Sequence, residues 1–400
     1  MSRDTDALIL SAARTPIGRF QGTLSSIPAT TLGAVAVRAV VQRAGVNAGD
    51  IDEVLMGNVV QAGEGQAPAR QAGIGGGIPE SVGATTVNKV CGSSLKAAMM
   101  AAQAIRAGDA NLLIAGGFES MSRAPYLVSG RSGELKFGNQ PLTDALLLDG
   151  LWDPFENWAM GDAAEFIADE YEVTREAMDI FALQSHQKAV AAQDAGRFKS
   201  EIVAVEVPGR KGETTRVDVD EGPRRDTSLE SLSKLKPSFR PNGRVTAGNA
   251  SSMNDGAAAV LIASRLFAEK HDLQAMARVV GYAQAAVEPR YMFAAPAQAI
   301  PKLLSKIGWQ LTDVDLIELN EAFAAQVLAD GRALEDQGWD WNRVNVNGGA
   351  IAIGHPLGAS GARVLTTLLH ALRDRGIQKG IAALCLGGGE AVAMAVEIEG

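Results

Sequence analysis

The feature of this sequence that most constrains its fold is a group of residues that recurs 263 positions further along the chain. Three residues at the junction of a predicted helix and an apolar strand return in the same order: Gly45, Asp50 and Asp52 recur as Gly308, Asp313 and Asp315. The apolar strands predicted beside them cover residues 51–56 and 314–319. Recurrence in one order, on the same kinds of element, predicts two related α/β halves. A site shared by such halves would draw residues from both.

Short apolar segments alternate with helical segments through the first half of the chain. Residues 7–12 and 112–117 are apolar, and the second run ends in paired glycines, as residues 384–388 do in the second half. Helical periodicity covers residues 31–44 and 94–107, and each pattern ends at a glycine. This alternation is typical of a mostly parallel sheet with helices on both faces. A chain of 400 residues also exceeds what one core usually supports, so two or more domains are expected.

The region between the halves, from residue 121 to about 250, has more proline, tryptophan and charge and weaker strand signals. Residues 165–198 have a helical pattern that stops at Gly196. Residues 208–244 carry nine Lys or Arg against six Asp or Glu, within a protein of net charge −9. This basic stretch is either a solvated loop or a site for an anionic group such as a phosphate. The small polar residues of 246–256 predict a loop on which a ligand lies close to the backbone.

Composition excludes several classes of protein. The net charge of −9 argues against a general nucleic-acid binder. Two cysteines are too few for a disulfide framework, which indicates a reducing compartment. The first six residues lack the apolar core of a signal peptide, and no apolar run is long enough to span a bilayer. A cytoplasmic protein without a membrane segment is expected.

Cys91 lies where a predicted strand, residues 85–90, turns into a helix that begins near Ser94. Unpaired backbone N–H groups and the helix dipole favour negative charge at such a position. We therefore expect a lowered thiol pKa and a thiolate available near neutral pH. The competing interpretation is a buried, inert cysteine, which is the commoner role of a single cysteine.

His355 and Cys385 lie in glycine-rich segments, unlike the other histidines. Glycines on both sides and a following proline fix an irregular backbone around His355, where an imidazole could accept a thiol proton. Cys385 ends a predicted strand and precedes three glycines, whose N–H groups could form an oxyanion hole. The two cysteines and His355 could alternatively bind zinc, but the sequence has no CxxC-type spacing that would support a zinc site. The remaining three histidines are expected to be structural: His186, His271 and His370.

Four motifs in this order resemble the thiolase family, and the resemblance covers essentially the whole chain. The motifs are residues 88–93 (NKVCGS), 320–324 (NEAFA), 354–358 (GHPLG) and 385–389 (CLGGG). The resemblance implies reversible Claisen condensation of two acyl-CoA molecules without a metal or a permanently bound cofactor; coenzyme A and acetyl-CoA are substrates.

The resemblance also implies a thiolase-like five-layered αβαβα fold, built from two duplicated halves with an inserted loop domain. The expected N-terminal half comprises residues 1–121 and 251–275. The expected loop domain, which binds CoA, comprises 122–250, and the expected C-terminal half comprises 276–400.

The resemblance assigns a role to each catalytic position. Cys91 would carry the acyl group, and His355 would take its proton and help to hold the thioester oxygen. Asn320 would orient a water in that same oxyanion hole. Cys385 would be the acid/base at the α-carbon of the second acetyl-CoA. The N–H groups of Cys91 and Gly387 would form a second oxyanion hole.

Other positions match family residues that contact CoA or line the acyl pocket. The expected CoA contacts are Arg224, Ser231, Phe239, Ala247 and Ser251. The expected pocket residues are Met160, Met292 and Phe293. Ala159 stands where short-chain members often carry histidine, and Glu390 follows the last motif where many carry an apolar residue.

These departures leave two activities open. The first is an acetyl-CoA acetyltransferase; the second is a degradative 3-ketoacyl-CoA thiolase of fatty-acid β-oxidation, possibly partnered by a hydratase/dehydrogenase. Decarboxylating ketoacyl synthases rank low because they generally use histidine at the position of Asn320, and a thiolase-like lipid carrier ranks low because the site residues are intact. The resemblance further implies a homotetramer, a dimer of dimers that pair through their N-terminal halves.

Overall fold

The first half of the chain alternates strands and helices, as its pattern predicts. The computed structural model describes residues 6–128, 130, 133, 137–209 and 212–399. Glycines in the left-handed region end the first two long helices, at Gly45 (φ 67°) and Gly108 (φ 82°). The elements of this half are β1 Ala7–Arg14, β2 Gly18–Arg19, α1 Ala29–Ala44, β3 Glu53–Gly57, α2 Pro68–Gly75, β4 Gly83–Val87, α3 Ser93–Ala107 and β5 Leu112–Ser120.

The region that follows has little sheet and more helix. The helical pattern over residues 165–198 forms two helices rather than one, because Glu172 adopts φ 50° and Thr174 caps the second helix by accepting a hydrogen bond from the Ala177 N–H. The elements here are β6 Tyr126–Leu127, β7 Thr143–Asp144, β8 Trp152–Asp153, β9 Trp158–Ala159, α4 Met160–Glu170, α5 Arg175–Asp194, β10 Val205–Pro208, β11 Thr214–Val217 and α6 Leu229–Ser233.

The chain then completes the first half and builds the second. The elements are β12 Asn254–Ser264, α7 Arg265–Lys270, β13 Ala277–Ala286, α8 Pro296–Ile307, β14 Leu316–Leu319, α9 Ala324–Ala333, α10 Ala350–Ile353, α11 Ser360–Arg375, β15 Lys379–Leu386 and β16 Glu390–Ile398.

The strand order repeats between the halves. In the first half the order is β1-β12-β5-β3-β4, and in the second it is β13-β16-β15-β14, followed by a parallel bridge from Ile317 to Val344 where a fifth strand would lie. Corresponding neighbours also run in the same relative directions. The prediction of a mostly parallel sheet is wrong, because β1, β12, β13 and β16 run antiparallel to their neighbours and most of the described pairs are antiparallel. The two sets of strands join where β1 pairs with β13 at Leu8–Arg278 and Ile9–Ala277. The duplication predicted from the recurring residues is therefore present in the topology.

Five layers result from the way the helices cover the two sets of strands. Helices α1 and α2 pack on the outer face of the first set, and α8 packs on the outer face of the second. Helices α3 and α11 share one core with the inner faces of both. The predicted αβαβα architecture is confirmed.

The two central helices contact each other at their N-terminal ends. A Cβ atom on Gly361 would lie 2.4 Å from the backbone nitrogen of Leu95, so only glycine permits this approach. The Ala362 N–H also donates to Ser94 Oγ at 2.9 Å. The loops that lead into α3 and α11 are thereby held close together.

A buried arginine ties the inserted region to the first strand. Arg14, at the end of β1, donates to both carboxylate oxygens of Asp220 (2.6 and 2.8 Å) and to Glu201 Oε1 (2.6 Å). All three side chains lie almost wholly out of solvent. Because a buried carboxylate without a partner is costly, this group anchors the segments at Glu201 and Asp220 to the sheet.

We expect Arg14→Met to lower the free energy of unfolding by about 3–5 kcal/mol, because two buried carboxylates lose their partner. Urea unfolding measures this change. The control is Arg216→Met, which breaks an exposed pair with Asp218 and should change the free energy by less than about 0.5 kcal/mol. Equal effects of the two substitutions would contradict the anchoring role.

Candidate active site

Most of the residues predicted for catalysis and the acyl pocket line one cavity of about 270 Å³. Its wall is formed by both halves of the chain and by the inserted region. The predicted residues in the wall are Cys91, His355, Cys385, Gly387, Met160, Phe239, Ser251 and Phe293. Two others, Asn320 and Met292, are fully buried and lie outside this wall.

The loop that carries Cys91 has an unusual backbone. Val90, a β-branched residue, adopts φ 46° in the left-handed region, where such residues are rare. Local hydrogen bonds stabilise this turn: the Val90 N–H donates to Asn88 Oδ1 (3.1 Å), and Ser93 Oγ accepts from the Lys89 N–H (2.8 Å) and donates to the Val90 carbonyl (2.6 Å). The turn places Cys91 two residues before α3.

The prediction of a lowered Cys91 pKa is wrong for the protein without substrate. Burial raises the pKa of the Cys91 thiol to about 12, although hydrogen bonding from the N–H groups of Gly387 and of Cys91 itself acts in the opposite direction. Desolvation in this apolar wall therefore outweighs the helix N-terminus. The same two N–H groups lie beside the sulfur, from where they can reach the carbonyl oxygen of an acyl group bound to it, as an oxyanion hole requires.

The loop that carries His355 follows α10 and lies on glycines of the first half. Gly354 has φ 120°, and a Cβ there would meet the Asn254 side chain at 2.5 Å. A Cβ on Gly117, in the glycine pair that ends the apolar run of β5, would lie 2.0 Å from the Gly358 carbonyl oxygen. The His355 N–H donates to Asn254 Oδ1 at 2.9 Å. Glycine at these positions allows the histidine loop to approach the strands closely.

The hydrogen bonds of Ser360 fix the tautomer of His355. Ser360 Oγ donates its single hydrogen to the Pro356 carbonyl at 2.7 Å and lies 2.6 Å from His355 Nδ1. Because that hydrogen is already engaged, Nδ1 must carry the proton and donate to Ser360. Nε2 then has a free lone pair, and it is buried without a hydrogen-bond partner among the described residues.

His355 is neutral as well as oriented. Burial lowers its pKa to about 3, and the nearby Arg363 guanidinium acts in the same direction. A neutral imidazole with a free Nε2 is a proton acceptor.

Cys385 lies near the end of β15, beside the tight turn to β16. Gly388 and Gly389 both adopt φ 85° in this turn, and a Cβ on Gly389 would lie 2.6 Å from the Val287 carbonyl oxygen. Burial raises the pKa of the Cys385 thiol well above its ordinary value, and the neighbouring Cys91 adds to the effect. Both thiols are therefore protonated before substrate binds.

Asn320 follows β14 and is fully buried. Its Oδ1 and Nδ2 atoms make no hydrogen bond to the described residues. Because buried amides normally have partners, this side chain is suited to hold a water or a substrate oxygen.

A groove of about 510 Å³ continues from the cavity towards solvent. The two share residues 250–253 in their walls. Four of the five predicted CoA contacts line this groove: Arg224, Ser231, Ala247 and Ser251. Phe239, the fifth, lines the cavity instead.

Sequence reasoning missed two residues of the groove. Arg19 lines it as a second cation, and His186, which was expected to be structural, accepts a hydrogen bond from the Arg224 N–H through Nδ1 (3.2 Å). Burial lowers the pKa of His186 to about 4, and the charges of Arg224 and Arg19 add to this effect. The two arginines thus lie near one another at the groove. Arg19 lies in the short strand β2 and belongs to no motif that would have indicated a role in ligand binding.

Sequence reasoning also missed Glu119, which is fully buried. Its carboxylate accepts hydrogen bonds from the backbone N–H groups of Val59 (3.0 Å), Val60 (3.2 Å) and Gly358 (2.9 Å). It therefore joins the loop after β3 to the loop of His355. Burial raises its pKa to about 7. Its partners are distant in sequence, so no local pattern could have indicated this role.

The described part of the chain contains no cluster of three His, Cys, Asp or Glu side chains able to hold a metal ion. It also contains no helix that is long and apolar enough to cross a membrane.

Comparisons with known proteins agree with the motifs. The family described as "Thiolase, N-terminal domain" matches residues 7–266, and "Thiolase, C-terminal domain" matches residues 273–398. An acetyl-CoA acetyltransferase of Pseudomonas aeruginosa is 54% identical over 389 residues, covering 97% of this chain and 98% of that protein. The acetyl-CoA acetyltransferase of Cupriavidus necator is 51% identical over 393 residues, covering 98% and 99%.

A solved structure is equally similar in fold. The crystal structure of the Bacillus anthracis acetyl-CoA acetyltransferase superposes with a TM-score of 0.95 at 40% identity, covering 98% of this chain and 99% of that one. The resemblance drawn from the four motifs is therefore confirmed, and the chain belongs to the thiolase family.

Proposed function

We propose that this chain is an acetyl-CoA acetyltransferase, which condenses two acetyl-CoA to acetoacetyl-CoA and CoA and catalyses the reverse thiolysis. The observation that carries the proposal is a single cavity that combines Cys91, the free Nε2 of His355, Cys385 and two N–H groups converging on the Cys91 sulfur. The relatives described above carry the same name.

Acyl transfer to the protein is the first step. His355 Nε2 takes the Cys91 proton as the sulfur attacks the carbonyl carbon of the first acetyl-CoA. The bond from that carbon to the CoA sulfur breaks, and Cys385 protonates the departing sulfur. The N–H groups of Cys91 and Gly387 stabilise the negative oxygen of the tetrahedral intermediate. Because both thiols start neutral, each thiolate exists only while a proton is held elsewhere in the site.

Carbon–carbon bond formation is the second step. The Cys385 thiolate left by the first step removes an α-proton from the second acetyl-CoA, and the enolate carbon attacks the acetyl group on Cys91. His355, with a water held by Asn320, stabilises the enolate oxygen. The Cys91 sulfur leaves and recovers its proton from the His355 imidazolium, so all three groups return to their starting forms.

The groove is suited to the CoA moiety. Arg224 and Arg19 place two cations along it, and CoA carries several phosphate charges. The shared residues 250–253 join the groove to the cavity, so a flexible thioester arm could reach Cys91 from a nucleotide bound outside. Of the basic residues of 208–244 that the structure describes, Arg224 is the one that lines the groove.

The acyl end of the cavity is closed by apolar side chains. Phe293 lies in its wall and packs against Phe323 with ring centroids 5.3 Å apart, and the fully buried Met292 lies beside it. These residues favour a small acyl group. Ala159, which also lines the cavity, widens it at the position where short-chain members often carry histidine.

Assembly through the N-terminal halves is also part of the proposal. In the described part of the chain, β4 is the edge strand at the N-terminal half of the sheet and is only partly buried. An open edge of this kind can pair with a second copy. A homotetramer would then form from two such dimers.

The experiment that tests the proposed activity is CoA-dependent cleavage of 3-oxoacyl-CoA substrates from four carbons to long chains. We expect the highest kcat/KM for acetoacetyl-CoA and a sharp fall with length. Activity that is flat or rises with length would favour a degradative 3-ketoacyl-CoA thiolase, and inactivity at every length would favour a lipid carrier.

Cys91→Ala should abolish turnover, because the nucleophile is lost, while the thermal unfolding temperature stays near that of the unmodified protein. Retained thiolysis in this variant would contradict the role of Cys91.

Cys385→Ser should slow exchange of the acetyl-CoA methyl protons with D₂O by about 10²–10⁴-fold, the usual contribution of a positioned acid or base. Acylation of Cys91, followed by rapid quench, should fall less, because Cys385 only protonates the leaving group there. Equal losses in the two steps would rule out its role at the α-carbon.

Ser360→Ala should lower kcat by about 10- to 100-fold with little change in KM, because His355 loses the acceptor that fixes its tautomer. Ser360→Thr, which keeps the hydroxyl, should retain most activity. ¹⁵N NMR of the imidazole nitrogens measures the tautomer directly: we expect Nδ1 protonated in the unmodified protein and a mixture in Ser360→Ala. Unchanged tautomer and unchanged kcat in Ser360→Ala would contradict the assignment.

A further inference from the structure

An ion pair joins the loop of Cys91 to the turn that carries Gly387. Lys89 Nζ lies 2.6 Å from Glu390 Oε2, and the side chains are 19% and 35% exposed. Lys89 precedes Cys91 by two residues, and Glu390 follows Gly387 by three. The pair therefore connects the two halves of the chain immediately beside both N–H groups that converge on the Cys91 sulfur.

Both ends of this ion pair lie on backbone that is unusual. On one side Val90 holds a left-handed conformation that a β-branched residue adopts only when its surroundings impose it. On the other side Leu386 pairs directly with Glu390, so residues 387–389 form a tight turn with Gly388 and Gly389 at positive φ. The hydrogen bonds of Asn88 and Ser93 stabilise the first turn internally. Between the two turns Gly92 packs closely on Leu386, and the ion pair adds a polar contact across the same gap.

We propose that the ion pair of Lys89 and Glu390 is a positioning device that sets the spacing between the Cys91 and Gly387 N–H groups. The inference rests on the proposed function, since those N–H groups are assigned there to the oxyanion hole. An oxyanion hole depends on both donors lying at hydrogen-bond distance from one oxygen, and a misplacement of 1 Å can cost about 10²-fold in rate. Neither side chain touches the reacting atoms in this proposal.

The position of Glu390 supports this role. It contacts Lys89 and does not line the acyl cavity. The glutamate therefore acts on the turn and does not change the size of the acyl pocket.

A direct electrostatic effect of Lys89 on the sulfur is the competing explanation, and it predicts the opposite sign for one substitution. If charge alone mattered, removing the Glu390 carboxylate would ease formation of the Cys91 thiolate and speed acylation. If the pair positions the two turns, removing either partner slows acylation. Lys96, whose pKa is lowered by burial and by the charge of Lys89, is a second cation near the pair.

The experiment measures single-turnover formation of acetyl-Cys91 from acetyl-CoA by acid quench and mass spectrometry. The variants are Lys89→Met, Glu390→Gln, the double substitution, and the exchange Lys89→Glu with Glu390→Lys. Glu397→Gln is the matched control, because it breaks a pair with Arg278 of the same length, 2.6 Å, and similar exposure on the same strand. Thermal unfolding checks that every variant is folded.

We expect each single substitution to slow acylation about tenfold, and the double substitution to be no slower than either single one, because one interaction is lost in all three. The exchanged pair should recover to within about threefold, and the control should stay within about twofold of the unmodified protein. Acylation by Glu390→Gln at or above the unmodified rate would overturn the positioning role, and so would effects of the two single substitutions that multiply in the double one. Either outcome would leave the proposed function standing. An unmodified protein that never forms acetyl-Cys91 would overturn the proposed function as well.

Discussion

The close contact between α3 and α11 is the constraint on which the rest of the site depends. These corresponding helices of the two halves meet at their N-terminal ends, where Gly361 approaches the Leu95 backbone. Cys91 lies just before one helix and His355 just before the other. Since the duplicated halves pack through these helices, the nucleophile from the first half and the base from the second meet in one cavity.

The same packing determines the chemistry of that cavity. Burial raises the pKa values of Cys91 and Cys385 and lowers that of His355, so all three groups are neutral before substrate arrives. Neither cysteine is therefore a thiolate before substrate binds. The protein holds a free imidazole lone pair, fixed by Ser360, and N–H groups placed where negative charge will develop. Preorganised donors of this kind are effective because the site excludes water and does not need to rearrange.

Much of the fold and of the site could be predicted from the sequence because it depends on local patterns of residues. Apolar periodicity and terminal glycines placed α3 within a residue of its observed start, and the recurring residues predicted the two related halves whose strand order repeats. Glycine-rich surroundings distinguished Cys91, His355 and Cys385. The remainder depends on contacts between distant segments. Glu119 and Arg19 face partners from other segments, and the sign of the Cys91 pKa shift depends on how much apolar surface closes around the sulfur.

The measurement that tests the central claim most directly is the location of the acyl group on the protein. Mixing the enzyme with acetyl-CoA labelled in its acetyl group, quenching in acid and mapping the peptides by mass spectrometry identifies the modified residue. We expect one acetyl group on the peptide that contains Cys91, and we expect it to be lost when CoA is added before the quench. A label on Cys385, or a protein that turns over substrate without any covalent acetyl group, would contradict it.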